Sequence, residues 1–229
     1  MNKVRTVSDT KRDFYTFHTR PINSVYRRVI EELMVEMHLL SVNVDFHSDP
    51  IYILGVVTSF DRFMQGYRPE QDKTSIFAAL CKSVGGEPQQ YRQEAERLLD
   101  VAKQMPTEAL IAQMKSPTST YGEAESSLGD WQAIANHSTF KYSRLFAIGL
   151  YTLLIETDAD LVKDEEKRSQ VLQQLSETLQ LPQEKLQKDL DIYRSNLEKM
   201  NQLLNMLEET LHSDRKKREQ EKNGTAKED

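Results

Sequence analysis

Ile51-Tyr52-Ile53-Leu54-Gly55-Val56-Val57-Thr58-Ser59-Phe60-Asp61-Arg62-Phe63-Met64 and Phe140-Lys141-Tyr142-Ser143-Arg144-Leu145-Phe146-Ala147-Ile148-Gly149-Leu150-Tyr151-Thr152-Leu153-Leu154-Ile155 decide the fold. Wound as helices, both stretches are apolar on nearly every face, and such a helix belongs in the middle of a bundle. Each carries an interior glycine, Gly55 or Gly149. Glycine inside a helix costs about 1 kcal/mol relative to alanine, so the pair predicts two helices that approach closely. The longest apolar run, Leu145 to Ile155, has 11 residues, whereas a membrane-spanning helix needs about 20. Any membrane contact is therefore expected to be peripheral.

Helical spacing continues outward from these stretches. Val25, Val29, Ile30, Leu33, Met37 and Leu40 recur along one segment, and Phe77, Leu80, Cys81 and Val84 along another. Val42-Asn43-Val44-Asp45-Phe46 alternates instead, and is the one stretch that could be extended chain. Proline is tolerated in a first helical turn and breaks a helix interior. Pro50, Pro69, Pro88, Pro106, Pro117 and Pro182 each precede a helical pattern, while Gly66 and Gly85-Gly86 suit helix ends. The predicted helices run over 8–18, 22–42, 50–65, 70–84, 88–104, 106–115, 120–136, 139–157, 164–180 and 182–220.

The last of these carries Leu186, Leu190, Tyr193, Leu197, Met200, Leu204, Leu207 and Leu211 at alternating spacings of four and three, a heptad seam of the coiled-coil kind. Its flanking positions Arg194, Asn196, Asn201 and Leu203 lack complementary charges that would specify a second strand. Packing along its own bundle or on a partner is therefore favoured over a two-stranded homodimer. Beyond His212 charges crowd together and apolar residues all but vanish, which predicts fraying and then disorder. The expected fold class is all-α: a multi-helix bundle over 1–180, a long heptad-bearing helix over 182–220 and a short disordered tail over 221–229.

A net charge of −6 argues against a general nucleic-acid binder, which needs surplus Lys and Arg on one face. Positive charge is concentrated at the start, where Lys3, Arg5, Lys11, Arg12, Arg20, Arg27 and Arg28 face only Asp9 and Asp13 before position 29. The single cysteine, Cys81, excludes an intramolecular disulfide and suits a reducing compartment. The opening Met1-Asn2-Lys3-Val4-Arg5-Thr6 has neither the apolar run of a secretion signal nor an organelle import leader.

No reaction chemistry emerges from the residue pattern. A di-iron bundle needs two Glu-x-x-His pairs, and only Glu209-Thr210-Leu211-His212 matches. Glu32 and Glu36 lie one turn apart, but Arg27/Glu31 and Arg28/Glu32 have ordinary ion-pair spacing. Cys81 falls on the apolar face of Phe77, Leu80 and Val84, the setting of a packed thiol rather than a nucleophile. His18, His38, His47, His137 and His212 show no ligand spacing, and Gly85-Gly86 lacks the rest of a phosphate loop. No catalytic residue, metal or cofactor is assigned. What remains is the basic and aromatic start, from which Arg12, Phe14, Tyr15, His18, Arg20 and Arg28 are candidate partner-binding residues. Such interleaving serves core packing, a protein interface or single-stranded nucleic acid.

The runs Thr6-Val7-Ser8-Asp9-Thr10-Lys11-Arg12, His18-Thr19-Arg20-Pro21-Ile22, Tyr26-Arg27-Arg28-Val29 and Glu36-Met37-His38-Leu39-Leu40-Ser41-Val42 belong together. With Asp49-Pro50, Val57-Thr58-Ser59-Phe60-Asp61-Arg62-Phe63-Met64 and Ile76-Phe77-Ala78-Ala79-Leu80-Cys81, the chain resembles the thylakoid formation family, also described as photosystem II biogenesis proteins. The likeness is dense in the first half and looser in the second, where 140–150 and the heptad tail still fit. The resemblance implies an all-helical, non-enzymatic protein at the stromal or cytoplasmic face of thylakoids. It implies association with the membrane-bound FtsH protease and support of photosystem II assembly and repair. The lack of an import leader points to the cyanobacterial branch. A pigment or lipid carrier, with helices 51–64 and 140–155 lining a cavity, is the alternative expectation.

Overall fold

The computed structural model describes residues 5–115 and 140–225; the helix predicted over 120–136 lies outside them. In chain order the helices are α1 (Val7–Phe17), α2 (Ser24–Ser41), α3 (Pro50–Phe63), α4 (Glu70–Ser83), α5 (Pro88–Lys103), α6 (Thr107–Lys115), α7 (Arg144–Thr157), α8 (Ala159–Lys163), α9 (Glu165–Thr178) and α10 (Gln183–Thr225). No strand occurs among the described residues. The expected all-α class is the observed one.

Local chemistry sets the helix ends. Thr6 and Asp9 form a reciprocal capping box at α1, with the Asp9 amide donating to Thr6 Oγ1 at 3.2 Å and the Thr6 amide to Asp9 Oδ2 at 3.0 Å. Asp49 caps α3 by accepting from the Tyr52 amide at 2.9 Å, with Pro50 in the first turn. Pro88 likewise opens α5. Gly66 and Gly85 follow α3 and α4 with φ of 73° and 83°, a left-handed conformation that a side chain would strain.

Three departures from expectation have local causes. α7 begins at Arg144 rather than 139, because Ser143 Oγ accepts the Phe146 amide at 3.0 Å and caps the helix there. Asp158 accepts the Asp160 amide at 2.9 Å, and Lys163 reaches Asp160 at 2.8 Å, so the short α8 fills what the spacing left as a connection. Val42–Phe46 is turn rather than extended chain: Asn43 Oδ1 accepts the Asp45 amide at 3.0 Å and Asn43 O the Phe46 amide at 3.1 Å.

The described chain divides into two units, Met1–Asp191 and Ile192–Asp229. At the centre of the first, α3 and α7 make the most extensive helix contact, with α5 packed on both. Every residue from Ile51 to Phe60 and from Leu145 to Leu154 is buried. The two glycines are the reason they close so tightly. A Cβ on Gly55 would stand 1.7 Å from the Leu145 carbonyl oxygen, and one on Gly149 would stand 1.9 Å from that of Ile51. α1 lies on α2 and α4, and α2 on α3. Cys81 is fully buried, and burial pushes its thiol up to about 12.

The first unit takes in the start of α10, where Leu186 and Leu190 are buried. In the second unit Leu207 is 43% exposed. The helix continues to Thr225, five residues past the predicted end. Lys, Glu and Gln are good helix formers, so the backbone helix outlasts the seam. Residues 226–229 lie outside the description.

Candidate partner-binding groove

The structure separates the candidate residues of the N-terminal stretch. Phe14 is buried in the core, while Phe17, three residues on, is half exposed. His18 is buried as well, its Nδ1 2.9 Å from Ser75 Oγ on α4, with burial lowering its pKa against the opposing pull of Asp72. Arg20 pairs with the buried carboxylate of Asp72, Arg12 with Asp9 at 3.0 Å, and Arg28 with Glu32 at 2.9 Å. Tyr15 donates to Glu31 at 3.2 Å, and Lys11 reaches the same carboxylate at 2.9 Å. The Lys11 hydrogen bond holds the Glu31 carboxyl below its usual range. Arg5 pairs with Asp13. The basic stretch is thus neutralised largely by the chain itself. Lys11 and Tyr15 tie α1 to Glu31 of α2.

An open groove of about 920 Å³ lies along the outer face of α2, opposite the extended segment before α7 and the first residues of α10. Helical periodicity builds its α2 wall. Leu33 and Met37 turn inward, which leaves Arg28, Glu32, Val35 and Leu39 outward on the next face. Val35 is 37% exposed and Leu39 58%. The facing wall is Tyr142, Arg144, Lys185 and Asp189.

Polar contacts fix that wall. Arg144 donates to Glu36 Oε2 from Nη2 at 2.6 Å and from Nε at 3.2 Å, joining α7 to α2 across the floor. Burial works against the Arg144 charge, but Glu36 outweighs it and pushes the guanidinium pKa up. Tyr142 donates to Asp189 at 2.9 Å. Burial and that carboxylate push its phenol well above the ordinary range. Lys185 Nζ stands 5.0 Å over the Tyr142 ring, within cation–π distance.

Of the six candidates, only Arg28 lines the groove. Val35, Leu39, Tyr142, Arg144, Lys185 and Asp189 were not singled out from sequence. The available signal was Val35 and Leu39, one turn apart and off the core stripe of α2. Among the described residues no three His, Cys, Asp or Glu side chains cluster as a metal site. No described helix is long and apolar enough to cross a membrane. α3 and α7, the walls expected of a carrier cavity, meet directly at Gly55 and Gly149. The groove presents aliphatic side chains exposed between charges that are mostly already paired.

Comparison with known proteins bears on what such a surface serves. The family model described as thylakoid formation protein matches residues 6–222. The chain is similar to Protein Thf1 of Gloeothece citriformis, with 64% identity over 97% of this chain and 98% of the relative. It is 60% identical to Protein Thf1 of Crocosphaera subtropica, over 97% of this chain and 90% of that one. A solved structure of Psb29 superposes with a TM-score of 0.79 at 43% identity, covering 93% of this chain and 98% of the other.

Proposed function

The chain belongs to the thylakoid formation protein family, and from that premise we propose that it is a non-enzymatic accessory protein that holds the thylakoid FtsH protease complex and supports photosystem II biogenesis and repair. The proposed place of action is the cytoplasmic face of the thylakoid membrane, as a peripheral or soluble component. The observation that carries the reading is the groove on α2, where Val35 and Leu39 stand exposed between charged walls. Exposed aliphatic side chains beside mostly paired charges favour a protein partner over nucleic acid, which calls for unpaired cations on one face. The test is co-purification of tagged full-length chain from detergent-solubilised thylakoid membranes. Recovery of FtsH subunits in stoichiometric amount supports the proposal; their absence under conditions that keep the protease assembled ends it.

A further inference from the structure

The charges of the groove do not balance locally. All four of its carboxylates have partners within the chain: Glu31 with Lys11 and Tyr15, Glu32 with Arg28, Glu36 with Arg144, and Asp189 with Tyr142. Among its cations, Arg28 and Arg144 are paired in this way, but Arg27 and Lys185 make no ion pair among the described residues. Both are exposed, Arg27 on the α2 wall and Lys185 on the wall opposite. Val35, Leu39 and Leu40 line the same groove. We propose that it receives an acidic amphipathic helix of a protein partner, with the apolar stripe on Val35 and Leu39 and carboxylates meeting Arg27 and Lys185.

The chemistry favours this occupant over others. A basic segment would bring like charge to Arg27 and Lys185 and find every carboxylate engaged. A flat anionic lipid surface would meet Leu39 and the cations but leave a concave groove unfilled. An amphipathic helix laid in a groove buries one stripe and keeps its flanking charges at the rim, the familiar helix-in-groove mode. Placing charge at the rim controls partner choice and association rate.

The inference rests on the partner-holding reading, and its experiment separates the two. Two short fluorescent helical peptides with the same leucine stripe, one flanked by glutamates and one by lysines, are titrated with the full-length chain. The acidic peptide is expected to bind, to weaken as salt rises, and to lose about tenfold or more in affinity with Arg27→Glu/Lys185→Glu or with Leu39→Asp. Because Arg27, Lys185 and Leu39 are exposed, an unchanged helical circular dichroism spectrum is expected of these variants. Equal binding of both peptides, or full affinity in the charge-reversed variant, overturns the inference. So does flotation with phosphatidylglycerol vesicles that the same reversal abolishes, or a dimer that Leu39→Asp dissociates. If FtsH co-purifies equally with wild type and charge-reversed chain, the groove is not the contact although the functional reading stands. If the acidic peptide binds but FtsH is never recovered, the groove stands and that reading falls.

Discussion

The α3–α7 pair and the helix α1 are both held firmly against neighbours, by opposite means. Between α3 and α7 the backbones touch at Gly55 and Gly149, and ten consecutive residues of each helix are buried. α1 buries Thr10 and Phe14 but is otherwise tied by polar contacts. Thr10 Oγ1 lies 2.8 Å from His38 Nδ1, His18 Nδ1 lies 2.9 Å from Ser75, and Lys11 joins Glu31. Shape holds the centre, where Asp49 at the start of α3 is a group whose contribution varies with pH. Hydrogen bonds and charges hold α1, so its attachment follows solution conditions.

The sharpest way to break the central pair is to add one methyl group. Gly149→Ala places a Cβ against the Ile51 carbonyl, a backbone atom that moves only if the whole helix moves. Its expected cost is about 3 kcal/mol or more, the upper end of overpacking, read as a loss in urea midpoint. Gly55→Ala should behave alike, and a melting temperature unchanged by either variant would contradict the close approach.

A contrast of the same kind runs along α10. Leu190 is buried, so Leu190→Ala should cost about 2–5 kcal/mol. Leu207, on the same heptad seam but in its other phase, is 43% exposed, and Leu207→Ala should stay within about 0.5 kcal/mol in the isolated protein. Equal costs would overturn the contrast between the buried and the exposed leucine. The heptad spacing revealed the helix and its stripe, but spacing alone does not say how far along a stripe finds a neighbour.

Acidification tests the outer attachment. Burial lowers the pKa of both His18 and His38; Asp72 and Arg20 face the former, Arg5 and Asp9 the latter. A buried histidine of lowered pKa is neutral in the native state, while the unfolded chain takes up protons below about 6.5. Its contribution is therefore complete above that pH and is lost as pH falls through the folded value. Asp49 acts in the opposite sense. Burial raises its carboxyl to about 6, so its contribution is largest at low pH and is lost as pH rises through that value. Stability measured from pH 7 to 5 should fall less steeply in His18→Gln/His38→Gln than in wild type. Identical slopes would remove the histidines from the account.

The sequence made the centre legible for a physical reason. A helix apolar all round with an interior glycine has few other places to go, and Pro50, Pro88 and the left-handed Gly66 and Gly85 mark its neighbourhood. Some boundaries moved by a few residues where side-chain caps took over, as at Ser143. The groove was not legible in the same way. Its walls join Glu36 to Arg144 across 108 positions and Tyr142 to Asp189 across 47, and no local period encodes such a meeting. Arg12, Phe14 and His18 read as one surface because composition sees neighbours in sequence. The helix turned Phe14 inward and left Arg12 outside, while His18 is buried just past its end.

Cys81 has one more consequence. As the chain's single thiol, buried completely and protonated until about pH 12, it is inert while the native state persists. Once exposed it regains the ordinary reactivity of a cysteine with a pKa near 8.5. A colourless thiol reagent that turns yellow on reaction would therefore count excursions of α4 from its seat, one molecule at a time and without any label introduced. At high reagent the trapping rate is the opening rate itself, and at low reagent it reports the equilibrium population of open chains. The protein carries its own clock for the integrity of its interior.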